Sequence, residues 1–264
     1  MRSRLYIIEG LPCSGKSTTS AFVADALKKD HDVCCIDEGT GEHPADYEFH
    51  SFLSESDILA FSEDEQQKIL SVSQKTENGF VVPLSGFNGA AFDKLLKYKL
   101  YDFLPWETEY PVMLEKWHSF AETADKDTVY VFNCVLLQNP MCETMMRFGF
   151  PISASKEYIE KIAEIIKPFA PVVIYLKTSD IRSSVEKASS ERDGWLDAVI
   201  DYHINGAYGK SINAQGFDGY ISCLSERQRR ELEILSQLDV ESIVIDDAQA
   251  DWDKTYRMIK EGIL

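Results

Sequence analysis

Short apolar runs recur along the chain at Leu5-Tyr6-Ile7-Ile8, Val33-Cys34-Cys35-Ile36, Val129-Tyr130-Val131-Phe132-Asn133, Pro171-Val172-Val173-Ile174-Tyr175-Leu176 and Glu241-Ser242-Ile243-Val244-Ile245. The third can continue through Cys134-Val135-Leu136-Leu137. Most are continuous rather than alternating, as expected of strands buried on both faces of a parallel sheet. Helical patterns lie between them. Thr18 to Lys29 carries Ala21, Phe22, Ala24, Ala26 and Leu27, and Lys156 to Lys167 carries Ile159, Ile162, Ala163 and Ile166 before Pro168. Ser62-Glu63-Asp64-Glu65 is a capping box that opens a helix to about Lys75. Pro111 and Pro140 suit first helical positions, and Asp218–Leu238 and Asp251–Ile263 complete the expected helices.

The stretch between the second and third strands, 37–128, is far longer than one crossover helix requires. It is rich in aromatics, among them Phe80, Phe87, Phe92, Trp106 and Trp117. The pattern predicts one domain over 1–264, with a helical, substrate-binding insert at 50–125 above the catalytic edge of the sheet. Any single aromatic there can equally be core.

Composition narrows the function. The 264 residues, 44% of them hydrophobic, can bury a substantial core. Against 27 Lys+Arg stand 44 Asp+Glu, a formal net charge of −17. Such a surface repels nucleic acid and anionic membrane, so any phosphate must be held by a local basic pocket. The six cysteines have no metal-ligand spacing; those in strand-like runs read as small buried hydrophobes. Met1-Arg2-Ser3-Arg4 leads directly into the first strand with no leader pattern, and no apolar run is long enough to span a bilayer. These features predict a cytoplasmic protein. A homodimer is left open.

The candidate chemistry starts at Gly10-Leu11-Pro12-Cys13-Ser14-Gly15-Lys16-Ser17, which satisfies G-x-x-x-x-G-K-[ST] between a strand and a helix. Gly10 and Gly15 let the backbone bend round an anion. The amides of Cys13, Ser14, Gly15, Lys16, Ser17 and Thr18, with the positive end of the helix, then face phosphate oxygens. The Cys13 side chain needs no role. Lys16 is placed to bridge the β- and γ-phosphates of ATP and the Ser17 hydroxyl to ligate Mg²⁺. A glycine-bearing turn with a surface lysine would leave the spacing and both flanks unexplained.

With these parts in place, the chain resembles the P-loop kinases of nucleosides, nucleotides and small metabolites. Ile8-Glu9-Gly10 running into Gly15-Lys16-Ser17-Thr18-Thr19 is similar to the start of thymidylate kinases. Asp37-Glu38-Gly39 ahead of His43-Pro44-Ala45-Asp46-Tyr47-Glu48, with Leu137-Gln138-Asn139-Pro140 further on, is similar to bacterial proteins described only as ATP-binding or kinase-like. The resemblance implies a three-layer α/β/α sandwich with a five-stranded, mostly parallel sheet, a helical insert and a helical lid. It also implies an acid at the end of the second strand that touches the acceptor or acts as its base. Asp37 and Glu38 stand there, with Asp37 also a candidate metal ligand. In place of the acid usual at the end of the third strand stands Asn133, so the charge must come from Asp37-Glu38 or the site is catalytically weak. The segment 180–215 resembles the lid, with Arg192 the preferred lid arginine ahead of Arg182 and Lys187. Lys210 and the cluster Arg227, Arg229 and Arg230 read as solvated charges, and His43 alone among the histidines stands near the expected active edge.

The reading is therefore transfer of the ATP γ-phosphate to a hydroxyl or phosphate of a small molecule such as a nucleoside, sugar or antibiotic. The alternative is a nucleotide-binding ATPase or switch without an acceptor. A GTPase is disfavoured because no N-K-x-D motif is present.

Overall fold

The computed structural model describes residues 3–39, 41–190 and 194–263. The chain forms two compact units, the first from residues 1–37 and 124–264 and the second from 38–123. It enters the first unit through β1 (Leu5–Gly10), α1 (Lys16–Leu27) and β2 (Asp32–Ile36). The second unit holds β3 (His50–Leu53), α2 (Glu55–Ile58), α3 (Glu63–Val72), β4 (Gln74–Lys75), β5 (Phe80–Pro83), α4 (Gly89–Leu96) and α5 (Trp106–Thr123). The first unit resumes with β6 (Thr128–Asn133), α6 (Gln138–Met141), α7 (Ile152–Ile166), β7 (Val172–Lys177), α8 (Ile181–Ser189), α9 (Trp195–Asn205) and α10 (Ala207–Ser211). It ends with α11 (Gly216–Leu235), β8 (Glu241–Asp246) and α12 (Trp252–Ile263). A π-helical turn, Cys142–Arg147, follows α6.

In the first unit five parallel strands run in the order β2-β6-β1-β7-β8. This is the P-loop fold, with the glycine loop leaving the central strand. Tyr6, Ile8, Val131, Ile174 and Leu176 pack on one face against Val23 and Leu27 of α1 and Ile259 of α12. On the other face Tyr175 meets α11, its hydroxyl donating to Glu231 at 2.6 Å. Edge position changes two expectations. β2 has one neighbour, so Cys35 is exposed and Cys34 only half-buried rather than both being core. β8, the opposite edge, is largely exposed. The third apolar run stops being strand at Asn133 because Cys134 turns left-handed, with φ of 67°.

The second unit is mixed: beside the helices expected of the insert it holds three short strands. An antiparallel sheet ordered β3-β5-β4 lies among its helices. Leu53, Ile69, Val82 and Leu95 form its fully buried centre. The Ser62 capping box is present, with the Ser62 amide donating to Glu65 at 2.8 Å. Pro111 lies inside α5 rather than at its start, because the Thr108 and Glu109 amides already bond the Pro105 carbonyl one turn earlier. Pro111 and Glu107 are both exposed, so water can take the bond that proline cannot make. No described helix is long and apolar enough to cross a membrane.

Candidate active site

The glycine loop owes its shape to three left-handed residues. Gly10 has φ of 142°, and a Cβ there would sit 2.6 Å from the Leu176 carbonyl oxygen and 2.8 Å from Ser14 Oγ. Gly15 has φ of 99°, and a Cβ there would sit 2.8 Å from the Trp252 ring. Cys13, at φ of 68°, completes the turn through its backbone alone. Left-handed and ordinary residues in succession aim backbone N–H groups into one concavity. Gly15 then begins α1 with no side-chain cap and no acid in the first turn, leaving that helix end to an anion.

Lys16 is buried, and its Nζ donates to the carbonyls of Gly10 at 3.1 Å and Leu11 at 3.0 Å. The ammonium is thus folded back on the loop that it would leave for a phosphate, where charge-assisted bonds are stronger. Ser14 Oγ is buried without a hydrogen-bond partner, and Ser17 and Thr18 are exposed. An orphaned hydroxyl, an uncapped helix and a parked ammonium suit the phosphates of a nucleoside triphosphate. Among the described residues no group of three or more His, Cys, Asp or Glu could hold a metal. Magnesium on such a loop needs few protein ligands, and Ser17 with Asp37 would be the donors, the remaining positions going to phosphate and water.

Asp37 directly follows β2, and the register pairing Ile36 with Phe132 places it beside Asn133. Its Oδ1 accepts from Asn133 Nδ2 at 2.6 Å and from Ser20 Oγ at 3.0 Å. Ser20 Oγ also lies 3.1 Å from the Ser17 carbonyl oxygen. Asn133 is therefore a donor that fixes the neighbouring carboxylate; an acid this close would repel it. The structure brings together Gly10, Cys13, Ser14, Gly15, Lys16, Ser17, Thr18 and Asp37. Glu38 is exposed and begins the second unit, where it lies close enough to Glu48 to help raise that carboxyl's pKa, after burial. Arg192 lies outside the described residues. Arg182 is an exposed charge paired with Asp218. His43 is buried in the second unit, its Nδ1 accepting the Ala45 amide at 3.1 Å.

Sequence reasoning assigned no part to Glu9. Fully buried at the end of β1, it accepts the amides of Leu136, Leu137 and Gln138 at 2.8, 2.9 and 3.1 Å. It thereby ties the segment after β6 to the root of the glycine loop. Burial pushes its pKa up to about 7 against the pull of these amides, and Glu231 adds repulsion. An acid inside an apolar strand was the available signal. Arg227, expected to be solvated, is 1% exposed. Its Nε lies 3.1 Å from Glu231 and its Nη1 donates to Cys142 Sγ at 3.2 Å. Gln249 Nε2 donates to the Cys13 carbonyl, and Trp252 covers Gly15. Neither contact had a signature in the sequence.

No protein-family model matches the chain, and no curated protein does. Among solved structures, a thymidylate kinase from Candida albicans superposes with a TM-score of 0.46 at 13% identity, over 98% of this chain and 90% of that one.

Proposed function

We propose that the protein is a P-loop phosphotransferase that moves the γ-phosphate of ATP, with Mg²⁺, to a hydroxyl or phosphate of a small molecule. The observation that carries this reading is the loop itself: left-handed Gly10, Cys13 and Gly15, the uncapped start of α1, and Lys16 held on two of its carbonyls. Lys16 neutralises the outer phosphates, and Ser17 and Asp37 orient the metal and its waters. The other Asp37 oxygen, Oδ2, takes the proton of the attacking hydroxyl as the new O–P bond forms and ADP leaves. The 180–215 segment serves as the lid, with Arg192 offsetting charge on the transferred group. Acidic surface charge favours a small acceptor over a polynucleotide, and six free thiols fit a reducing cytoplasm.

The test is calorimetry with Mg-ATP, followed by mass spectrometry of a metabolite pool incubated with it. Wild type should bind ATP and yield a phosphorylated product. Lys16→Ala should lose about a hundredfold or more in affinity or turnover. Asp37→Asn should abolish transfer while Glu38→Gln retains it; the reverse result moves the base to Glu38. A well-folded protein that takes up no purine triphosphate refutes the proposal. Because Asn133 stands where an acid is customary, a nucleotide switch is the second reading. It is selected by ADP release that no acceptor stimulates.

A further inference from the structure

The second unit contains a pocket of about 840 Å³ that the nucleotide reading leaves unused. Its walls are apolar and aromatic, and two of them are conspicuously uncovered: Phe49 is 53% exposed and Phe103 is 59% exposed. Phe87 and Phe92 line the same space. Exposing two phenyl rings at one concavity costs solvation free energy that a free-standing surface does not explain.

A second, independent observation concerns the backbone. Phe49 has φ of 56°, a left-handed conformation that a bulky side chain disfavours. The neighbouring structure enforces it. The Phe49 carbonyl accepts the Leu84 amide at 2.9 Å, and the next residue, His50, accepts the Leu100 amide at 3.0 Å. Strain of this kind persists where the surroundings over-determine it, and it clusters at ligand sites.

The pocket also has a polar end. Lys99 is ion-paired with Asp102, and both line the cavity. Lys99 is pinned by its bridge to Ser51, and its Nζ lies 5.8 Å from the centre of the Phe49 ring. A donor and an acceptor thus stand side by side against aromatic walls. Glu42 adds a negative charge, and His50 donates through Nδ1 to the Glu48 carbonyl at 2.6 Å. The lining carries no excess positive charge, which disfavours phosphates and carboxylates as occupants.

We propose that this pocket binds a planar heteroaromatic small molecule, uncharged overall, whose ring stacks among Phe49, Phe87, Phe92 and Phe103. Adjacent donor and acceptor groups on its edge meet the Lys99–Asp102 pair. Offset or edge-on ring contacts supply the affinity, and the ion pair selects the ring edge.

The probe is 2-quinolinone, which presents N–H and C=O on one ring edge, compared with its fully saturated counterpart. Saturation-transfer NMR and calorimetry on the full chain should give a dissociation constant on the order of 100 µM for the aromatic probe. The saturated ring should bind about tenfold more weakly or worse. Phe103→Ala, an exposed truncation, should lose about tenfold in affinity. Phe49→Gly should bind as poorly while melting no lower than wild type, because glycine relieves the left-handed strain. Lys16→Ala should bind the probe normally, which keeps this result separate from that for the nucleotide. The proposal is overturned if the folded protein shows no saturation transfer, if saturated and aromatic rings bind alike, or if both Phe variants retain affinity. A concentration-dependent dimer that Phe103→Ala dissolves would instead assign these rings to a second copy of the chain.

Discussion

Replacing Glu9 by glutamine removes an ionisable group without changing its size, and its effect should depend on pH. In the folded protein burial raises the Glu9 pKa from 4.5 to about 7, despite three amide bonds that favour the charged form. The unfolded chain titrates near 4.5, so between these values the folded state keeps a proton that the unfolded state releases. The stability contribution of Glu9 is therefore fully present below pH 4.5 and is lost as the pH rises through about 7. An interval of about 2.5 in pH, at about 1.4 kcal/mol each, corresponds to about 3 kcal/mol. His203 and His43, whose pKa values burial lowers to about 4 and about 3, act in the opposite sense up to about pH 6.5, but both proteins contain them. Urea unfolding followed by circular dichroism should be run on wild type and Glu9→Gln from pH 4.5 to 8. At the acid end the variant should be the less stable, by about 1–3 kcal/mol, because its NH₂ group must oppose a backbone donor. The difference, variant minus wild type, should then climb by about 3 kcal/mol towards pH 8. A flat or falling difference would refute the argument, since it would mean that the buried carboxylate ionises without penalty.

Three further outcomes follow from the geometry. Gly15→Ala should lower stability by about 1–3 kcal/mol, because it meets both a left-handed φ and the Trp252 ring, and Trp252→Ala should restore the collision part; thermal melts of the single and double variants measure this. Asn133→Ala should weaken magnesium-dependent ATP binding about tenfold while leaving magnesium-free ADP binding intact, because it frees Asp37 without touching the loop; titrations with and without magnesium separate the two. Trp117→Ala, at a side chain 1% exposed in the second unit, should cost about 3–5 kcal/mol, read from its denaturant midpoint.

The glycine loop was legible in the sequence because its physics is local: the left-handed turns, the strand and the helix all lie within a few residues of Lys16. β1, β6 and β7 were legible because burial on two faces demands continuous apolar runs, whereas the edges β2 and β8 showed only through their short β-branched and apolar cores. Strand order was not legible. Only the order reveals that β2 is an edge, and hence that Cys35 meets water. The partnership of Asn133 with Asp37 depends on the register of β2 against β6, which no spacing encodes. In the second unit β3 has four residues and β4 only two, too short for a period to emerge. Arg227 was misread because Glu226-Arg227-Gln228-Arg229-Arg230 resembles a solvated face. The inward direction is set by Leu224, Glu231 and Ile234 on the same helix.

Strand order also carries a consequence for how the chain is made. β1 is synthesised before the second unit, yet its two hydrogen-bonding neighbours, β6 and β7, are encoded after the whole of 38–123. A ribosome therefore releases the complete second unit while Leu5, Ile7 and Ile8, all fully buried in the finished protein, still have nowhere to go. Slow pairing across so long a separation leaves this apolar segment open to chaperones or to aggregation until about residue 177 has emerged.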